Sequence, residues 1–100
     1  MPLVPPTPLV RIALVGAGRI GSHHAAAIAH DVHAAHLAAV VDPRIDTATA
    51  LAESLGARAE ADASGVLADP DIDAIVVTTP AALHRDLIVE AAAAGKHVFA

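Results

Sequence analysis

Residues 11–21 read RIALVGAGRIG, and residues 39–44 read AVVDPR. The first stretch changes character at its midpoint. RIALVG is short, apolar and partly β-branched and stops at a glycine, as a strand buried on both faces does. RIGSHHAAAIAHD then runs on in helix formers, and HLAAVVD is a second apolar stretch that ends at an acid. The turn of this strand–helix–strand unit carries Gly16, Gly18 and Gly21 in G-x-G-x-x-G spacing. Such spacing alone is weak, because glycine-rich turns are common. The strand before it, the helix after it and the acid ending the next strand are the context a dinucleotide site requires.

Each residue then has a physical task. Gly16 permits the tight turn, Gly18 lets a pyrophosphate approach the backbone, and Gly21 lets the helix lie close on the strand. The amides around Arg19 and Ile20 point, with the helix dipole, at the phosphates. A glycine-rich turn with no ligand is the plainer alternative. Asp42 lies 21 positions after Gly21, where a carboxylate accepts both hydroxyls of the adenosine ribose and repels the 2′-phosphate of NADP. Arg44 is placed to pair with that phosphate instead, so NAD is expected first and NADP second. The plainer role of Asp42 is that of a turn residue before Pro43.

Outward from this unit the alternation continues. DTATALAESLG puts Ala48, Leu51, Ala52 and Leu55 on one helical face, with Gly56 as the stop. ARAEA is a weakly signalled third strand, and SGVLADPD a short helix broken at Asp69–Pro70. DAIVVTTP is a strand closed by Pro80. ALHRDLIVEAAAAG aligns Leu83, Leu87, Ile88 and Ala91 and ends at Gly95, and KHVFA starts a fifth strand. Strands separated by helices imply right-handed crossovers and a parallel sheet covered on both faces. The fold class is α/β, a Rossmann-type doubly wound parallel sheet of about five strands. Residues 1–10, proline-rich and without period, read as a disordered leader. Residues 11–100 read as one dinucleotide-binding domain, incomplete at its C-terminus.

Composition bounds the function. The 100 residues carry a net charge of −5 with no basic cluster, which argues against nucleic acid as a partner. No uncharged apolar run approaches the roughly 18–20 residues that span a bilayer, and MPLVPPTPLVR lacks the features of a signal peptide. There is no cysteine, so disulfides and thiolate metal sites are absent and a cytoplasmic location is expected. Alanine fills 26 positions, with one Phe and no Trp or Tyr, so the core has to rely on close helix-on-sheet packing. Among seven histidines, His30, His33 and His36 straddle a helix end, a loop and a strand start, and no metal is expected there. His23 and His24 fall in the first helical turns. His84 follows TTP at the strand edge where ligands bind in open α/β sheets; capping that loop and touching the ligand are equally open roles.

GAGRIGSHHA, VVDP, LADPDIDAIVVTTPAALH and AGKHVF together resemble the nucleotide-binding domain of the glucose-fructose oxidoreductase, inositol dehydrogenase and MocA-like family, over residues 11–100. The resemblance implies NAD-dependent oxidation of a secondary alcohol of an inositol or sugar by hydride transfer. It puts His24 in the family's usual histidine slot, and Thr78, Thr79, Pro80 and His84 on the nicotinamide side. GRIG with GKHVF leans toward the inositol dehydrogenases. In the family a Glu-Lys-Pro segment with a catalytic lysine follows the fifth strand. A C-terminal α/β domain then supplies an acid, a histidine and the surface for homo-oligomers. No residue here matches those groups, and Lys96 belongs to the strand entry. The chain alone is therefore expected to hold no catalytic residue and to lack turnover. The rival from another class is a non-catalytic NAD(H)-binding or regulatory module. TTPAALH and AGKHVF disfavour a Rossmann reductase acting on an imine or aldehyde.

Overall fold

Apolar residues at both parities of a short segment force burial on both faces, and the first strand meets that demand. The computed structural model describes residues 10–31 and 34–100. In chain order the elements are β1 (Val10–Val15), α1 (Arg19–Asp31), β2 (Ala35–Val41), α2 (Ile45–Leu55), β3 (Arg58–Glu60), α3 (Ser64–Ala68), β4 (Ala74–Val77), α4 (Ala81–Ala93) and β5 (His97–Phe99). All neighbouring strands pair in parallel, in the order β3-β2-β1-β4-β5. β1 is the strand from which the chain first winds one way and then, after β3, crosses to the other side. That is the topological switch point of a doubly wound sheet.

Two boundaries differ from the sequence reading. The first strand begins at Val10, because its amide donates to the Ala34 carbonyl at 2.8 Å and the residue pairs with Ala35. The rest of the expected leader lies outside the described residues. The fourth strand ends at Val77 rather than running to Pro80. Thr78 still donates its amide to Val15 at 2.8 Å, but Pro80 has no amide for a ladder and becomes the N-cap of α4.

Alternate strand residues feed two cores. Leu14, Leu37 and Val40 meet Ala25 of α1 and Ala48 and Ala52 of α2. Ala13, Val15, Val41, Ile75 and Val77 meet Val66 of α3 and Ala91 of α4. The helical residues at these contacts are mostly alanines, which bring helix axes close to the sheet but contribute little area each. Leu51, Leu55 and Leu87 pack at the margins, as their helical spacing predicts. The single Phe, Phe99, is 59% exposed. α2 ends at Gly56 with φ 73°, a left-handed cap that an L side chain adopts only with strain. Among the described residues no helix is long and apolar enough to cross a membrane.

Register is what builds the site. Val15 is level with Val41 on one side and with Val77 on the other. The three strands therefore release Gly16, Asp42 and Thr78 at one height on the C-terminal edge. An irregularity between Ile12 and Ala13 makes this possible, since Ile12 pairs with Leu37 but Ala13 with Ala39. The extra residue, Ala38, advances β2 by one position and brings Asp42 beside the glycine turn.

Candidate functional site

The glycine turn is held by backbone and by one threonine. Gly16 has φ 110°, and a Cβ there would stand 2.7 Å from the Thr78 carbonyl carbon. Its amide donates to the Val41 carbonyl at 2.7 Å. The Thr78 hydroxyl shares its proton between the carbonyls of Gly16, at 2.7 Å, and Val15, at 3.1 Å. α1 then approaches so closely that a Cβ on Gly21 would overlap the Gly16 carbonyl oxygen and lie 2.9 Å from the Thr78 hydroxyl. Gly18 is different. The nearest atom to a Cβ there is the Arg44 guanidinium, at 3.9 Å, so its open side faces the cleft.

The helix ladder begins with the Ser22 amide donating to the Gly18 carbonyl at 2.8 Å. The amides of Arg19, Ile20 and Gly21 precede that ladder and have no acceptor within the helix. They sit at the positive end of the helix dipole. Ile20 is 67% exposed, a large apolar side chain standing at the cleft mouth.

Asp42 is buried, only 4% exposed. Its Oδ2 accepts from the Ala17 amide at 2.9 Å and from Arg44 Nη2 at 3.0 Å. Its Oδ1 accepts from the Arg44 amide at 2.8 Å and from Arg44 Nε at 3.0 Å. The Arg44 guanidinium is the main reason its pKa is lowered to about 2; burial opposes the shift, and the two backbone amides reinforce it. The Arg44 amide contact is the Asx-type turn expected before Pro43. Asp42 is thus both turn residue and cleft residue.

A cleft of about 690 Å³ opens over this edge, lined by Gly16, Gly18, Arg19, Ile20, Gly21, Asp42, Pro43, Arg44, Thr78, Thr79 and Pro80. Every residue expected from the sequence lines it except His84. That histidine lies within α4, half-buried, and its Nε2 is buried without a hydrogen-bond partner among the described residues. The Thr79 hydroxyl is likewise buried without a hydrogen-bond partner among the described residues, and Thr79 does line the cleft. Pro43 and the Ala17 amide were not singled out from the sequence. The one signal for both is adjacency to the glycines and the acid.

Other candidates fall elsewhere. Lys96 Nζ donates to the carbonyls of Asp69, at 2.5 Å, and Ile72, at 2.6 Å, at the edge where β4 and β5 begin, opposite the cleft. His23 and His24 are exposed on α1 with ring centroids 6.1 Å apart. His30 and His36 are exposed, and His33 lies outside the described residues. Among the described residues no group of three or more His, Cys, Asp or Glu is arranged to hold a metal.

Comparison with known proteins agrees with this geometry. The sequence model of the Gfo/Idh/MocA group, described as an oxidoreductase family with an NAD-binding Rossmann fold, matches residues 10–100. An inositol 2-dehydrogenase of Arthrobacter sp. FB24 is 40% identical over 88 residues, 87% of this chain and 26% of that protein. A myo-inositol dehydrogenase structure from Corynebacterium glutamicum superposes with TM-score 0.84 at 46% identity, covering 90% of this chain and 27% of the other. A scyllo-inositol dehydrogenase structure from Lactobacillus casei, with bound NAD(H) and scyllo-inositol, superposes with TM-score 0.85 at 32% identity over 90% and 27%. The chain spans about a quarter of the length of the curated relatives it matches.

Proposed function

Since the chain belongs to the Gfo/Idh/MocA family of oxidoreductases and carries its NAD-binding Rossmann fold, we propose that residues 10–100 are the cofactor-holding domain of an NAD-dependent dehydrogenase acting on a secondary alcohol of an inositol or sugar. The observation that carries this is the shared register of Gly16, Asp42 and Thr78 on one sheet edge, beneath the N-terminus of α1. The substrate class comes from the relatives, which are named for inositol.

The residues present fit a dinucleotide. Gly18 presents bare backbone to the cleft, and the orphaned Thr79 hydroxyl awaits a polar partner. The pyrophosphate would lie against Gly18 and the amides of Arg19, Ile20 and Gly21, where backbone donors and dipole favour anions. Asp42 would receive the adenosine ribose, with Arg44 at the rim. Thr79 and Pro80 would face the nicotinamide end, with His84 behind them. Thr78 positions the glycine turn through its two carbonyl contacts rather than offering its proton to a ligand.

When bound, the nicotinamide ring supplies the hydride acceptor. The chain's own part is to bind and orient. Among the described residues, the ionisable side chains lining the cleft are Arg19, Asp42 and Arg44. Arginine does not give up its proton near neutrality, and Asp42, at about 2, is too weak a base to take one from an alcohol. We therefore assign no catalytic acid or base and expect dinucleotide binding without turnover. Titration of the purified chain with NADH, read by nicotinamide fluorescence, tests the first part. No binding at millimolar NADH refutes it. Sustained inositol-dependent NADH production by the same chain refutes the second.

A further inference from the structure

We propose that this chain is a site for adenosine diphosphate as much as for the dinucleotide: ADP, which lacks the nicotinamide half, binds about as tightly as NADH and competes with it. The inference rests on the cofactor reading above and deepens it, by naming a second ligand class for the same cleft and a regulator of its occupancy.

The groups able to hold a ligand are unevenly spread over the cleft. Its phosphate end has the amides of Arg19, Ile20 and Gly21 at the positive end of the α1 dipole, and the exposed Arg19 side chain. Beside them is the Asp42 carboxylate, the partner of the adenosine ribose. Past Pro43 and Thr79, which line both cavities, the cleft adjoins a pocket of about 260 Å³. Val15, Val41 and Leu87 give that pocket an apolar lining drawn from the core. Asp62, Asp86 and Glu90 line it too, all three exposed, and among the described residues no cation does. Carboxylates without a cation repel phosphate. A flat neutral ring suits the apolar lining, and the adenine amino group is a donor that carboxylates accept. The pocket therefore takes the purine, and the phosphates stay at α1.

The nicotinamide end has far less to offer. Among the described residues its lining on the β4 side is Thr78, Thr79 and Pro80. The Thr78 hydroxyl and amide are both engaged with the backbone of Val15 and Gly16, and Pro80 has no amide. That leaves the Thr79 hydroxyl for a carboxamide and a second ribose. ADP keeps the helix amides, Arg19, Asp42 and the purine pocket. Its terminal phosphate also ionises a second time near neutrality, which the bridged phosphates of NAD cannot do. The added charge falls at the N-terminus of α1 and offsets the lost nicotinamide contacts. In a protein built on this domain, cofactor occupancy then follows the ratio of NAD to ADP.

Displacement of NADH from the 100-residue chain, read by nicotinamide fluorescence, and calorimetric titration with ADP, ADP-ribose and nicotinamide mononucleotide test this. ADP and ADP-ribose should bind within about threefold of NADH, and ADP should displace NADH completely. Nicotinamide mononucleotide, the other half alone, should bind about tenfold or more weakly than ADP. As KCl rises, affinity for ADP should fall more steeply than that for NADH, because ADP carries the extra charge. In Gly18→Ala, with circular dichroism confirming the fold, ADP and NADH should lose affinity by the same factor, since both pass their phosphates over that residue. NADH tighter than ADP by about tenfold or more, nicotinamide mononucleotide equal to ADP, equal salt slopes, or a Gly18→Ala loss confined to NADH would each overturn the inference while leaving the cofactor reading intact. Failure of NADH and ADP alike to bind would instead overturn that reading, and this inference with it.

Discussion

Gly18 and Gly21 stand three residues apart in one motif, and replacing each by alanine should separate packing from ligand binding. At Gly21 two effects compete. Alanine in a helix gains about 1 kcal/mol over glycine in propensity. Its Cβ, however, would overlap the Gly16 carbonyl oxygen and press on the Thr78 hydroxyl at 2.9 Å. The obstacle is backbone tied to both β2 and β4, so α1 has to lift off the sheet. Because the obstacle is backbone, the cost falls in the upper part of the usual overpacking range, about 2–3 kcal/mol, and the clash should win by about 1–2 kcal/mol. For a domain of this size that lowers Tm by about 5–15 °C. At Gly18 the nearest atom to a new Cβ is 3.9 Å away, which is ordinary contact. Stability should stay within about 0.5 kcal/mol of wild type, while the methyl projects into the cleft and weakens dinucleotide binding about tenfold or more, some 1.4 kcal/mol. Thermal melts by circular dichroism and NADH fluorescence titration read both variants. Gly21→Ala melting at or above wild type would refute the close helix approach. Gly18→Ala binding NADH as wild type does would refute the passage of pyrophosphate over Gly18.

Three further outcomes are expected. The Asp42 pKa is depressed from an ordinary 3.8 to about 2, so its contribution is complete above pH 4 and is lost as pH falls through 2. Screening at the exposed Arg44 keeps that contribution to about 1–2 kcal/mol. The stability gap between wild type and Asp42→Ala in urea should therefore narrow between pH 5 and pH 2, and a constant gap would refute the linkage. Asp42→Ala at neutral pH should also weaken NAD binding and relax discrimination against NADP; unchanged affinities for both would leave Asp42 as a turn residue only. Lys96→Met removes the donor to the Asp69 and Ile72 carbonyls and should cost about 1–3 kcal/mol. NADH affinity should be unaffected, because that edge lies opposite the cleft, and a loss of binding without a loss of stability would refute the assignment.

Much of this fold was readable residue by residue. The strand–helix alternation follows from local hydrophobic period, and Gly56 and Gly95 mark helix ends through a left-handed φ that glycine adopts freely. The weak ARAEA signal resolved into β3 because Ala39, Val40 and Val41 offered it a parallel partner. The candidate site was readable to the extent that it is local. The glycine spacing and the acid ending the second strand placed most of the cleft, whereas His84, read from its position after TTP, sits behind the lining rather than in it.

By itself, then, the sequence determined what local chemistry determines: the order of elements, the turn only glycine can make, and the acid at the end of β2. Tertiary structure decided the rest, because the deciding contacts join residues distant in the chain. Thr78 reaches Gly16 across 62 positions and Ala17 reaches Asp42 across 25, so neither bond has a signature in its own segment. The extra residue at Ala38 sets the height of Asp42 through strand register, which periodicity cannot see. The state of Asp42 was decided last. The pairing of Asp42 with Arg44, two positions on, is local, and only the folded edge sets that pair beside the Ala17 amide and the bare face of Gly18.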